Sequence, residues 1–141
     1  GVTSKKIHLL FTFPNADINN AHIIKILKKE ASKNKFLTIK KNLGTSLYYS
    51  AIKKSLFMIG NSSSGIIESS SCKVPAINIG SRQNGRDMNF NTLSCKGTQQ
   101  SIKASIKKIQ SNSFLSKAFN NDIYLKKGSS DFLLKKIIEI I

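Results

Sequence analysis

Leu56-Phe57-Met58-Ile59-Gly60-Asn61-Ser62-Ser63-Ser64-Gly65-Ile66-Ile67-Glu68 joins an apolar segment, a serine-rich turn and the start of a helix. Its first five residues form an apolar run closed by glycine, which reads as a strand; Asn61 to Gly65 reads as a turn and Ile66 to Ser71 as a short helix. Val74-Pro75-Ala76-Ile77-Asn78-Ile79-Gly80 supplies the next strand, entered through a proline. Strand, turn, helix and strand at these lengths make a βαβ unit, and its two strands run parallel.

The same alternation extends in both directions. Upstream, Lys6 to Phe13 is apolar enough for a strand buried on both faces and stops at Pro14-Asn15. A helix follows, capped by Asn19 or Asn20, with Ile24, Leu27 and Ala31 on one face and lysines on the other. Phe36 to Ile39 reads as a strand and Ser46 to Lys54 as a helix. Downstream, a polar loop from Ser81 to Asn91 leads to a weak strand at Thr92 to Cys95 and a helix carrying Ile102, Ile106 and Ile109. Two helical segments, Phe114 to Phe119 and Ser130 to Ile141, complete the pattern. It predicts an α/β fold, a doubly wound parallel sheet within one domain spanning residues 1–141.

Composition narrows the function. Lysine and arginine number 23 against 7 acidic residues, a net charge of +16, which alone would suggest nucleic acid or an anionic surface. Only Arg82 and Arg86 are arginines, however, the lysines are dispersed, and tryptophan is absent. Specific phosphate and base recognition leans on the planar guanidinium fork and on stacking aromatics, so neither nucleic acid nor a membrane is expected as partner. No apolar run approaches bilayer-spanning length and no secretory leader is evident, which predicts a cytoplasmic protein. Cys72 and Cys95 show no metal-ligand spacing and read as small buried hydrophobes; neither a metal nor a cofactor is expected. Position 1 is glycine, just before a strand, as in a piece of a longer protein.

Ligands of parallel α/β sheets bind at the carboxyl ends of the strands, here the loops Pro14 to Asp17, Gly60 to Gly65 and Gly80 to Asp87. In the middle loop, small residues, hydroxyls and backbone N–H groups precede a helix, which favours phosphate or diphosphate. Ser62 and Ser63 are candidate hydroxyl donors, and Ser64 and Gly65 permit close backbone approach; a serine-rich helix cap is the equal alternative. Glu68 is placed either to accept hydrogen bonds from a ribose diol or to complement the helix dipole. Both arginines fall in the third loop, where a fixed fork matters; pairing of Arg86 with Asp87 or Glu68 is the structural alternative. His8 and His22 read as structural, and the options for acid–base work near the loops are few, Asp17 and Glu68 and little else, which falls short of complete acid–base catalysis.

Phe13-Pro14-Asn15-Ala16-Asp17, Gly60-Asn61-Ser62-Ser63-Ser64-Gly65-Ile66-Ile67-Glu68 and Pro75-Ala76-Ile77-Asn78-Ile79-Gly80-Ser81-Arg82-Gln83-Asn84-Gly85-Arg86 resemble, in this order and spacing, motifs of the UDP-N-acetylglucosamine 2-epimerase family. The hydrolysing branch of sialic and legionaminic acid synthesis is the nearest match. The resemblance implies the C-terminal, Rossmann-like half of a GT-B fold, with an N-terminal domain as partner, homo-oligomers at full length and a UDP-sugar as substrate. It also implies that Ser62 and Ser63 hold the diphosphate, Glu68 the ribose hydroxyls and Arg82 the phosphate region, with Asn15 at the cleft. Family members eliminate UDP through a glycal-like intermediate and add water to release N-acetylmannosamine; most of their acid–base groups lie in the N-terminal domain. The alternatives are a non-catalytic nucleotide-sugar-binding module and the donor domain of a GT-B glycosyltransferase.

Overall fold

The computed structural model describes residues 7–13, 20–120, 122–124 and 128–140. The chain divides into two compact units, Gly1–Ser50 and Ala51–Ile141. In the first, β1 (Leu9–Thr12) leads to α1 (Asn20–Ala31) and then β2 (Leu37–Lys40). The two strands pair in parallel with Leu9 opposite Leu37 and Thr12 opposite Lys40. His8 adds a side-chain bond across them, its Nε2 lying 2.7 Å from Thr38 Oγ1, so it holds the strand pair together as its sequence context suggested.

The expectation of a first strand buried on both faces is corrected. Leu9, Leu10 and Phe11 are exposed, and α1 has no buried residue. A continuous apolar run specifies a strand that can be covered on both faces; it does not specify that the cover lies within the same segment.

The second unit starts within α2 (Gly44–Lys54), whose Ile52 is buried, and continues through β3 (Met58–Gly60), a 3-10 turn at Ser63–Gly65, α3 (Ile67–Ser71) and β4 (Ala76–Ile79). β5 (Thr92–Cys95), α4 (Gln99–Ile109), α5 (Asn112–Ala118) and α6 (Ser129–Ile140) follow. The strands are hydrogen-bonded in the order β3-β4-β5, all parallel, with Met58 opposite Ala76 and Ala76 opposite Thr92. Val74, Ala76, Ile77, Ile66, Ile109 and Ala118 are buried apolar residues of this unit, which makes β4 its central element. Thr98 and Ser111 cap α4 and α5 by accepting from Ser101 N and Phe114 N.

This is the expected α/β class of parallel strands joined by helices, with the hydrogen bonding distributed over two ladders, β1-β2 and β3-β4-β5. One crossover departs from the usual form. Parallel strands are normally joined through a helix, but β4 and β5 are joined by the irregular segment 80–91. Such a segment lacks a helix to satisfy its own backbone and must be anchored by side chains. Gln83, Asn89 and Asn91 are buried within it.

No described helix is long and apolar enough to cross a membrane. Cys72 and Cys95, expected to be buried, are half-buried free thiols. Each lies at the end of an element, Cys72 just after α3 and Cys95 last in β5, where the cover thins.

Candidate functional site

Two of the three loops anticipated from the sequence belong to the second unit, at the carboxyl ends of adjacent parallel strands β3 and β4. They meet on one atom. The backbone oxygen of Asn61 accepts a hydrogen bond from Gln83 Nε2 at 2.8 Å and a longer one from Arg82 Nη1 at 3.4 Å. The serine loop and the arginine loop are therefore joined through the main chain of the first and the side chains of the second. The remaining loop, with Asn15 and Asp17, lies outside the described residues.

The serine loop closes on itself. Ser62 Oγ accepts from Ser64 N at 3.4 Å, Gly65 N donates to Ser62 O at 3.1 Å, and Ile66 N donates to Ser63 O at 2.9 Å. The capping role and the 3-10 turn thus occupy amides that the sequence suggested were open to an anion. The helix that follows, α3, has five residues and contributes only a small dipole. Both facts move the case for anion binding from backbone amides to hydroxyls and arginines. A serine oxygen that accepts one bond still has its own proton to donate.

Glu68 stands in the first turn of α3, half-buried, and no side chain caps that helix. Its Oε2 is buried without a hydrogen-bond partner among the described residues, and the same holds for Gln83 Oε1 and Asn78 Oδ1. A buried acceptor without a donor costs about 1–3 kcal/mol, so each of these oxygens calls for an N–H or O–H from outside the described chain. Arg82, Arg86 and Asp87 are exposed. The alternative pairing of Arg86 with Asp87 or Glu68 does not form; the ion pair among the described residues is Lys136–Glu139, at 2.6 Å on α6.

The backbone of the arginine loop has its own requirements. Gly80 and Gly85 adopt φ of +78° and +84°, the left-handed region that favours glycine, at the exit from β4 and immediately before Arg86. Beside this loop an open depression is lined by Gly80, Ser81, Asn84, Cys95 and Lys96. Neither arginine and no residue of the serine loop lines it.

Behind both loops lies a buried polar layer that the sequence reading missed. Ser69 Oγ donates to Gly65 O at 2.8 Å, and Asn91 Nδ2 donates to Ser69 Oγ at 3.0 Å and to Val74 O at 2.8 Å. Asn89 and Asp122 converge on Ser70. The one signal available in the sequence was a density of Asn and Ser unusual for segments flanking a core strand. Burial pushes the Cys72 thiol above its ordinary value; the Lys53 ammonium opposes this and the Glu68 carboxylate adds to it. Among the described residues no group of three His, Cys, Asp or Glu side chains could hold a metal ion.

Comparison with known proteins places this geometry. The family model described as UDP-N-acetylglucosamine 2-epimerase matches residues 2–141, nearly the entire chain. The chain belongs to the UDP-N-acetylglucosamine 2-epimerase family. It is similar to the GDP/UDP-N,N'-diacetylbacillosamine 2-epimerase (hydrolyzing) of Campylobacter jejuni, with 48% identity over 85 residues, 60% of this chain and 22% of that protein. It is also similar to the UDP-N,N'-diacetylbacillosamine 2-epimerase (hydrolyzing) of Legionella pneumophila, 35% identical over 89 residues, 63% of this chain and 23% of the relative. Polysialic acid biosynthesis protein P7 of Escherichia coli is 35% identical over 107 residues, 76% of this chain and 27% of its own length. The chain thus spans about a quarter of the curated relatives it matches. Membership in the 2-epimerase family accounts for the order of the loops and for a Rossmann-like α/β unit beneath them.

Proposed function

We propose that residues 1–141 form the nucleotide-sugar-binding domain, the C-terminal half of a GT-B fold, in a hydrolysing 2-epimerase. It would bind the UDP portion of UDP-N-acetylglucosamine or a related 2-acetamido sugar while UDP is eliminated and N-acetylmannosamine or its counterpart is released. The single observation that carries the reading is the juncture on Asn61, which brings a serine loop and the only two arginines of the chain to one edge of a parallel ladder. That edge is where α/β sheets take their ligands.

In this reading the hydroxyls of Ser62, Ser63 and Ser64 donate to the diphosphate, and Gly65, without a side chain, lets it approach. Arg82 and Arg86 carry the charge that neutralises it, as the fixed guanidinium fork is suited to do. The buried oxygen of Glu68, without a partner among the described residues, accepts from the ribose diol; Asn15, outside the described residues, is assigned to the substrate by the family resemblance alone. The acid and base of the elimination come from an N-terminal domain, and the assembled enzyme is a cytoplasmic homo-oligomer. Relatives named as hydrolyzing 2-epimerases favour this reading over transfer of the sugar to an acceptor.

Titration calorimetry with UDP and UMP tests it. A second phosphate adds at least one charge-assisted hydrogen bond, worth about 1.5–3 kcal/mol, so UDP is expected to bind roughly tenfold or more tightly than UMP. Equal affinities would remove the diphosphate from the site.

A further inference from the structure

We propose that Asn89 and Asp122 are positioning residues, a polar clamp that fixes the arginine loop against α3 and so sets the distance between the Arg82–Arg86 segment and Glu68. The role for a nucleotide rests on the proposed diphosphate site; the clamp itself is a property of the fold.

The irregular crossover 80–91 is exposed along Ser81, Arg82 and Asn84–Asp87 but buried at Gln83 and again at Asn89, where only 5% and 4% of the residue surface remains. Gln83 ties its front to the serine loop. Asn89 ties its rear to α3: its Nδ2 donates to Ser70 Oγ and, at 3.0 Å, to Asp122 Oδ1, while its Oδ1 accepts from Ile123 N at 3.1 Å. The same Asp122 oxygen accepts from Ser70 Oγ at 2.8 Å and from Tyr124 N at 3.0 Å. Tyr124 then returns to the loop, its hydroxyl donating to the backbone oxygen of Asp87, the residue after Arg86.

Two sequence-distant segments, 80–91 and 122–124, thereby converge on Ser70 of α3, two residues beyond Glu68. Apolar side chains would hold a loop down equally well but without fixed direction. A carboxylate oxygen shared by three donors, with each partner satisfied by the next, imposes angles as well as contact. Asn89 and Ser70 are buried and Asp122 is half-buried, so desolvating their polar groups carries a cost that a purely adhesive role would not require.

The test uses the 141-residue chain with two readouts, amide hydrogen exchange without ligand and UDP affinity by calorimetry. The amides of Asn84 and Arg86, closed on Ser81 and Gln83 in the loop turn, report its order. Asn89→Ala and Asp122→Ala are expected to speed their exchange and to weaken UDP binding, each by roughly tenfold, the scale of losing a charge-assisted hydrogen bond. Asp122→Asn keeps an acceptor at Oδ1 and is expected to restore both. Ile109→Val, an interior change outside the cluster, lowers stability without touching the clamp and is expected to leave both readouts at wild-type levels at a temperature where every variant is folded. Unchanged exchange and affinity in the alanine variants, or equal losses in Ile109→Val, would overturn the proposal. Should either alanine variant fail to fold, Ser70→Ala and Asp122→Asn carry the same comparison. A wild-type chain that does not bind UDP would overturn the nucleotide reading, whereas the exchange comparison would still decide the clamp.

Discussion

Arg82 and Ser63 bear different shares of the proposed diphosphate, and their truncation separates charge from simple hydrogen bonding. Ser63→Ala removes one neutral donor and is expected to cost about 1 kcal/mol of UDP binding; Arg82→Ala removes a charged one and should cost about 1.5–3 kcal/mol. Calorimetric losses that were equal and negligible would return both residues to the structural alternatives. Cys72 offers a check on local electrostatics. Its thiol is pushed up by burial, opposed by Lys53 and reinforced by Glu68, so the folded state holds the proton more tightly than the unfolded chain does. Its contribution to stability is therefore complete below the unfolded value of about 8.5 and is lost as pH rises through the folded value. Alkylation of Cys72 in a Cys95→Ser background is expected to accelerate only at a pH above that of an unfolded peptide thiol. A midpoint at or below the peptide's would contradict the burial of this side chain. Arg82, Arg86, Ser62 and Glu68 stand out in the sequence as candidates because arginine and acidic side chains are scarce in this chain and the serines cluster between two glycines. Gln83, Asn89 and Asp122 do not, since a polar residue anchored across 19 to 33 positions looks locally like any other loop residue.

The elements themselves were largely legible, with most boundaries shifted by one or two residues. Apolar runs and glycine punctuation located the five strands of the described residues, and the 3.6-residue periodicity located α1 and α4. Two features needed the three-dimensional chain. One is the 3-10 turn that uses the amides of the serine loop; the other is the end of α3. There Val74 N donates to Ser69 O at 2.8 Å and Lys73 N to Ser70 O at 2.9 Å, the paired bonds of a Schellman motif. The residue at its left-handed position is Lys73, with φ of +55°, where glycine is the usual occupant. A left-handed backbone costs a residue with a Cβ about 1–2 kcal/mol, part of which glycine gives back in chain entropy. Lys73→Gly is accordingly expected to stabilise the second unit by about 0.5–1 kcal/mol, read as a raised thermal midpoint. A lowered midpoint would mean that the lysine side chain makes contacts outweighing its backbone strain.

For the whole molecule, the question is whether the chain can turn over a sugar nucleotide by itself. Elimination of UDP requires a base to take the proton from the sugar carbon and an acid or electrostatic clamp for the departing diphosphate, each within hydrogen-bond reach. The proposed site supplies the clamp, serine hydroxyls and two arginines at the carboxyl ends of two adjacent strands, with Glu68 kept for the ribose. For the base it offers little. Carboxylates near the loops are few: Glu68 is assigned to the ribose, Asp87 is exposed next to Arg86 in sequence, Asp17 lies outside the described residues, and His8 is engaged with Thr38. The curated relatives are about four times longer than the segments they share with this chain, which leaves ample sequence for the remaining chemistry. Residues 1–141 alone are therefore expected to bind UDP but give no measurable conversion of UDP-N-acetylglucosamine. N-acetylmannosamine formation, followed by chromatography of the free sugar, is expected to appear when the N-terminal domain of a hydrolysing relative is supplied in cis or in trans. Turnover by the purified chain that disappears in an Arg82→Ala control would mean that base and acid both lie within these residues, and the division between a binding half and a catalytic half would fall.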